Sequence, residues 1–143
     1  MRKILFLFLI LYPFNLYSVE KTKEEKVAKF IIENIQKDYI NCYSFYKVTA
    51  ESFKKAKKED YIIKGLEKSA DITLKYNYDL GEVLGLPSKV MAQNTKKKVE
   101  VFTKNAKKDF SSLTKRYSSL CKNLVENQKQ RIDFWEKKGN KKF

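Results

Sequence analysis

The sequence predicts an all-α fold, an up-down bundle of three long helices tied by one disulfide. Apolar residues recur at gaps of three and four along extended stretches, which is the period of one helix face. The chain has only four glycines and two prolines in 143 residues. The long run from Ser88 to Lys137 contains neither, and no alternating pattern of strand length occurs in the sequence.

The first helix is predicted from about Lys23 to Lys57. Thr22 stands where an N-cap is expected, and Glu25 three residues later completes a capping-box pattern. The apolar stripe that follows is wide, so this helix should be contacted on more than one side. Its members are Val27, Ile31, Ile35, Tyr39, Cys42, Tyr46, Ala50 and Phe53.

The second helix is predicted from about Asp60 to Tyr76. An acidic residue at its start is favourable because a helix N-terminus carries partial positive charge, whereas Gly65 inside it is unfavourable. Residues 77–87 contain two glycines and a proline and are predicted to form a loop or one short helical turn. Ser88 would then be the N-cap of the last long stretch.

Two geometries are open for this last stretch, Ser88 to Lys137. As one helix it would be about 75 Å long and therefore bent to stay on its partners. The helical period continues through Ala106, Phe110 and Leu113, which favours this form. The alternative is a third helix that is broken to give four.

A break between Asn105 and Ser112 would produce an up-down-up-down bundle of four helices. Asp109, Ser111 and Ser112 are the N-cap candidates for such a break. Counting residues back along the returning helix brings Cys121 to about the level of Cys42 on the first helix. The geometry of the two cysteines therefore discriminates between three helices and four.

Residues 1–18 are predicted to be a signal peptide. A basic start is followed by an almost wholly apolar run from Ile4 to Phe14, and Ser18 is the predicted cleavage position. The run is shorter than the roughly 20 residues that span a bilayer, although an uncleaved N-terminal anchor is the alternative. No cysteine follows it, which disfavours a lipoprotein. Residues 19–138 would form one bundle domain without a transmembrane segment, and residues 139–143 a disordered basic tail. The predicted location is the periplasm or the extracellular space.

Two cysteines in an exported chain predict a single disulfide, Cys42–Cys121. Two buried free thiols are the alternative. The sequence has no histidine, which removes the commonest general base and the commonest metal ligand. No metal site, cofactor or enzymatic activity is therefore expected, and an enzyme that works without histidine is retained only as an alternative hypothesis.

The positive charge belongs to the C-terminal half. Residues 19–88 hold 13 basic and 12 acidic side chains, and residues 89–143 hold 16 and 5. A basic ridge there would suit an anionic membrane surface, a polysaccharide or an acidic protein, whereas nucleic acid is not expected because base-reading arginine is scarce. A plain solvated face, enriched in lysine by AT-rich codon usage, is the alternative. The candidate anion-binding residues are Lys104, Lys107, Lys108, Lys115, Arg116, Lys122 and Arg131.

Two aromatic features have structural and functional interpretations. Tyr39, Tyr43 and Tyr46 flank Cys42 and form either packing around the disulfide or an aromatic ligand pocket. Arg131 and Trp135 lie four residues apart, so they can form a cation–π contact, whereas the favoured interpretation is that Trp135 plugs the end of the bundle.

The pattern of Cys42-Tyr43 and Phe45-Tyr46 in the first helix, with Tyr117, Cys121, Arg131 and Trp135 near the end, resembles small exported all-helical two-cysteine bacterial proteins of unknown function. The resemblance implies a secreted helical protein and carries no activity. The sequence therefore favours an exported protein with a non-catalytic binding or structural role. The alternative is an envelope-associated binder of anionic lipid or polysaccharide through the basic C-terminal half.

Overall fold

The structure is a computed structural model that describes residues 22–143. These residues form four α-helices, which are α1 (Lys23–Lys55), α2 (Asp60–Val83), α3 (Ser88–Glu126) and α4 (Gln128–Lys142), and no strand occurs among them. The predicted all-α bundle is confirmed. The predicted signal peptide, residues 1–18, lies outside the described residues. Between residues 22 and 143, no helix combines the length and the apolar character needed to cross a membrane.

The central helix of the bundle is α1, which packs against each of the other three. It begins with the predicted capping box, because the Thr22 hydroxyl accepts from the Glu25 amide at 3.2 Å and the Glu25 carboxylate accepts from the Thr22 amide at 3.1 Å. Its wide apolar stripe is buried on several sides, as predicted. Ile35, Tyr39 and Phe45 are all less than 5% exposed.

The chain reverses direction inside α3, so the bundle has the up-down-up-down arrangement. The rings of Phe102 and Tyr117 are 4.8 Å apart, whereas fifteen residues of continuous helix would separate them by about 22 Å. From residue 95 onward, the contacted residues of α1 lie first progressively closer to its C-terminal end and then progressively closer to its N-terminal end. In chain order they join Thr95 to Gln36 through Asn77, Phe110 to Phe53, Cys121 to Cys42, Arg131 to Asp38, and Trp135 to Phe30.

The reversal occurs at Asp109, where the backbone leaves the helical region with φ −158° and ψ 91°. It divides α3 into a first arm, residues 88–108, and a returning arm, residues 110–126. The Asp109 carboxylate accepts from the Ser112 amide at 2.9 Å and from the Ser112 hydroxyl at 2.5 Å, as an N-cap does. These hydrogen bonds lower the pKa of Asp109. The preference for one long bent helix was therefore wrong, and the predicted alternative of a break between Asn105 and Ser112 is the observed one.

The second helix runs seven residues further than predicted, to Val83. Asn77 does not end it because its side chain is fully buried and hydrogen-bonded inside the bundle. Gly81 makes room there for Met91, since a Cβ at this position would lie 1.9 Å from the Met91 sulfur and the Met91 side chain would have to move. The helix ends at Val83 with Leu84 as its C-cap, and Gly85 follows with φ +71°. The amides of Gly85 and Leu86 donate to the carbonyls of Glu82 and Gly81, which forms a Schellman motif.

A second interruption, which the sequence analysis did not anticipate, separates α3 from α4 at Asn127. After it, α4 continues to Lys142. Residues 139–142 are therefore helical, in contrast to the predicted disordered tail at residues 139–143. The helix persists because Gly139 is buried against Val27 and Phe30 of α1. The ring of Phe143 also packs edge-on against that of Phe30, at 6.1 Å.

The predicted disulfide Cys42–Cys121 is present and lies at the centre of the core. Its Cα atoms are 5.3 Å apart and both cysteines are fully buried. It joins the middle of α1 to the returning arm of α3. Around it pack Ile35, Tyr39, Phe45, Tyr46, Val48, Ala70, Phe102, Leu113 and Leu124.

Candidate functional site

An open groove of about 770 Å³ lies between α1 and the first arm of α3. Its side chains come from residues 29–41 of α1, from residues 94–101 of α3, and from the short α2–α3 connection. The α1 wall is about 18 Å long, at 1.5 Å per residue. The volume falls within the range of about 300–1,000 Å³ that small-molecule sites occupy.

Lysine dominates the rim of this groove. Lys29, Lys37, Lys97 and Lys98 line it together with a single carboxylate, Glu33. Lys29 forms an ion pair with Glu33 at 3.7 Å. Between residues 22 and 143, no carboxylate lies within ion-pair distance of the other three lysines. The groove therefore carries positive charge that the described part of the protein leaves uncompensated.

The wall of the groove is partly apolar. Ile40 contributes from α1, Val101 from α3, and Leu84 and Leu86 from the α2–α3 connection. Ile40 is buried, whereas Val101 is 50% exposed. The groove thus presents aliphatic surface to solvent beside lysine ammonium groups, an arrangement that suits a ligand with one apolar part and one anionic part.

A buried polar ladder supports the groove from below. The Gln36 side chain lines the groove and donates to the side-chain oxygen Oδ1 of Asn77 at 2.9 Å. The side-chain nitrogen of Asn77 in turn donates to the Thr95 hydroxyl at 3.4 Å. Asn77 is fully buried and Thr95 nearly so. The ladder joins α1, α2 and α3 and holds the two groove walls at a defined separation.

The structure does not bring the seven candidate anion-binding residues into one site. Lys108 and Arg116 line a depression of about 220 Å³ that also contains the Asp109 carboxylate. Lys107 lines another, of about 330 Å³, beside Val48 and Phe110. The remaining lysines of the set, which are Lys104, Lys115 and Lys122, have exposed side chains.

Arg131, the seventh candidate, has an internal partner. Its guanidinium group binds the buried carboxylate of Asp38 in bidentate geometry, with Nε 2.6 Å from Oδ2 and Nη2 3.1 Å from Oδ1. Trp135 Nε1 donates to the same Oδ2 at 2.6 Å. The cation–π contact is present, with the Arg131 guanidinium carbon 4.8 Å from the Trp135 ring centroid. These contacts fasten α4 to α1.

The tyrosines around Cys42 belong to the core. Tyr39 and Tyr46 are 1% and 8% exposed, and Tyr39 stacks on Tyr76 at 5.0 Å. Burial, with a smaller contribution from Tyr76, raises the pKa of Tyr39 to about 12, although a hydrogen bond from Gln128 opposes the shift. Packing around the disulfide therefore accounts for this stripe better than an aromatic ligand pocket does.

Sequence reasoning missed the groove because its lysines lie on two helices that are distant along the chain. The only local signal was the run Lys96–Lys98, which was counted as part of the general basic character. Between residues 22 and 143, the structure has no group of three or more acidic, cysteine or histidine side chains placed to bind a metal ion.

Comparison with protein-family models, with curated proteins and with solved structures finds no match for this chain. The resemblance to small exported two-cysteine proteins stays a prediction. The groove and the charges around it are therefore the basis of the functional proposal.

Proposed function

We propose that this chain is an exported, non-catalytic binding protein that holds an anionic ligand in the groove between α1 and α3. The observation that carries the proposal is the convergence of Lys37, Lys97 and Lys98, none of them paired with a carboxylate of the described residues, on one groove with an aliphatic wall. Clefts of this size that combine apolar walls with a few converging charges are the usual form of a ligand site.

Two features support export. The disulfide of a small protein persists in an oxidising compartment such as the periplasm or the extracellular space. The first eighteen residues also have the composition of a signal peptide, with a basic start and an apolar run. A binding role fits this setting because the sequence holds no histidine for general acid–base work.

A second candidate function is docking on anionic lipid or polysaccharide through the basic C-terminal half. The observation in its favour is the exposure of Lys104, Lys115 and Lys122 on α3. These lysines lack the concave, partly apolar setting that surrounds Lys37 and Lys97. Their attraction for an anionic surface would be long-ranged and strongly weakened by salt. The groove is the more specific of the two surfaces, so it is preferred.

We expect inorganic pyrophosphate, added to the ¹⁵N-labelled chain at low salt, to shift backbone amide resonances of residues 29–41 and 94–101 first. The physical reason is that three lysines without a carboxylate partner create positive potential where they converge in a concave wall. The measurement is a two-dimensional ¹H–¹⁵N titration. Shifts concentrated on residues 104–122 would favour the second candidate and overturn the first. The absence of any localised shift would contradict both.

A matched pair of charge-reversal variants sharpens this test. Lys37→Glu combined with Lys97→Glu should abolish the groove shifts. Lys104→Glu combined with Lys115→Glu changes the net charge equally but lies outside the groove, so the groove shifts should remain. All four side chains are exposed, so both variants should fold. Equal loss of pyrophosphate binding in both variants would show that total charge, and not the groove, governs the interaction.

A further inference from the structure

We infer that the occupant of the groove is a single-chain amphiphile, a molecule with one anionic head group and one aliphatic tail. The inference rests on the proposed function and specifies the chemical class of its ligand. It follows from three features of the groove, which are its exposed aliphatic side chains, its uncompensated lysines and its dimensions.

The aliphatic side chains of the groove expose apolar surface to water. Val101 on the α3 wall is 50% exposed, and Leu84 and Leu86 at the α2–α3 connection are only half-buried. Together with Ile40 on the α1 wall they are the aliphatic side chains that line the groove, referred to below as the aliphatic strip. A hydrocarbon tail laid along this strip would remove apolar surface from water on both sides, which contributes roughly 25 cal/mol for each Å² buried.

The charges on the rim identify the head group as an anion. Lys37 lies on the α1 wall and Lys97 and Lys98 on the α3 wall, so an anion in the groove would be approached from two helices. Glu33 is the only carboxylate among the lining residues, and it is engaged by Lys29 at 3.7 Å. The amides of Asn41 and Asn94 add neutral hydrogen-bonding groups beside the lysines. A carboxylate and a phosphate both satisfy this set.

The dimensions favour a small amphiphile over a protein. The groove has about 770 Å³ of space and only four aliphatic side chains in its wall. A specific protein partner would require about 800 Å² of contact on each side. A flat bilayer surface would reach the exposed lysines. A lipid would have to leave the bilayer, however, before its acyl chain could lie along Leu84 and Leu86. A single amphiphile, either extracted from a membrane or free in solution, fits both the charge and the shape of the groove.

The experiment is a calorimetric titration of the purified full chain, with its disulfide intact, by a matched series of compounds below their micelle-forming concentrations. The series is dodecyl phosphate, dodecanoate, dodecyl maltoside and pyrophosphate. We expect dodecyl phosphate or dodecanoate to bind with one-to-one stoichiometry and at least about tenfold more tightly than pyrophosphate or the neutral maltoside. The first two compounds distinguish a phosphate head group from a carboxylate.

The outcomes separate the inference from the function on which it rests. If pyrophosphate binds in the groove as tightly as dodecyl phosphate does, the anion site stands and the amphiphile inference is overturned. If the maltoside binds as tightly as the anionic amphiphiles do, the lysines do not contribute to ligand recognition and the inference is again overturned. If none of the four compounds binds, the proposed function falls as well.

A pair of valine variants tests the tail independently of charge. Val101→Ser removes aliphatic surface from the groove wall, whereas Val90→Ser does so at a residue of α3 that is 39% exposed and does not line the groove. We expect Val101→Ser to weaken dodecyl phosphate binding by about threefold to tenfold and to leave pyrophosphate binding unchanged. Val90→Ser should change neither. Equal effects of the two variants would exclude a tail along the α3 wall.

Discussion

Removing the disulfide through the double substitution Cys42→Ala and Cys121→Ala should lower the free energy of unfolding by roughly 4 kcal/mol, the largest effect that we expect from any change in this chain. The bridge joins residues that are 79 positions apart. In the chain-entropy description, a loop of that length strongly restricts the unfolded ensemble. The two alanines add a smaller loss of packing, because both cysteines are fully buried.

The measurement is urea unfolding followed by far-ultraviolet circular dichroism, with the wild-type chain compared in oxidised and reduced buffers. Reduction should destabilise the wild-type chain and leave the double-alanine variant unaffected. The slope of the free energy against urea should rise in the reduced chain, because its unfolded state exposes more surface. Oxidised and reduced wild-type chains of equal stability would contradict a structural role for the bridge.

Replacement of Asp38 by alanine should destabilise the chain by about 3 kcal/mol and lower its melting temperature by on the order of 10 °C. Asp38 is 6% exposed and accepts hydrogen bonds from both Arg131 and Trp135. Its removal leaves a guanidinium group and an indole N–H in a largely buried site without their acceptor. Thermal unfolding provides the measurement. The loss should be concentrated in α4, where hydrogen exchange of the backbone amides should accelerate.

A double-mutant cycle isolates this interaction. Asp38→Ala and Arg131→Ala should be non-additive, with a coupling free energy of at least about 1 kcal/mol. Glu67→Ala is the matched control, since it removes the exposed ion pair between Glu67 and Lys54 and should cost less than about 1 kcal/mol. Additive effects of the two α4-anchoring substitutions would show that the pair does not hold α4 in place.

Local sequence signals predicted the parts of the fold that depend on neighbouring residues. The capping box at Thr22 and Glu25 formed as expected, because both of its hydrogen bonds lie within one turn. Asp109 was among the three proposed N-caps, and it is where the chain turns. The pairing of Cys42 with Cys121 followed from the number of cysteines and the predicted export alone.

The apolar period misled the choice between three helices and four. Phe110 and Leu113 continue the stripe of the preceding residues because both arms of α3 face the same core, where Phe110 packs on Phe53 and Leu113 is buried. A turn at Asp109 therefore leaves the spacing intact. Periodicity records which face is buried, and it does not record the direction in which the helix runs.

Elements that depend on distant partners were predicted least well. Asn77 and Gly81 look like helix stops, yet the first is buried in a polar ladder and the second makes room for Met91. The Asp38–Arg131 pair joins residues 93 positions apart. A signal for it did exist, because Asp38 falls beside the apolar stripe between Ile35 and Cys42, and arginine is rare in this chain.

The groove could not have been derived from the sequence, because its existence depends on the separation of two helices. Lys37 and Lys97 are sixty positions apart, and neither has a local pattern that indicates a site. The sequence predicts that the basic character of the chain lies in residues 89–143. The structure shows that lysines of α1 also contribute to the positively charged groove. It also shows that the charge of Arg131 is compensated by Asp38.

The central claim, that the groove holds an anionic amphiphile, is tested most directly by native mass spectrometry of the chain purified gently from its own cells. We predict a complex with one small non-covalent ligand that is released on denaturation and ionises as an anion. The ligand should be absent from the Lys37→Glu/Lys97→Glu variant and present in the Lys104→Glu/Lys115→Glu variant. Equal occupancy of the two variants, or a ligand-free wild-type chain, would contradict the claim.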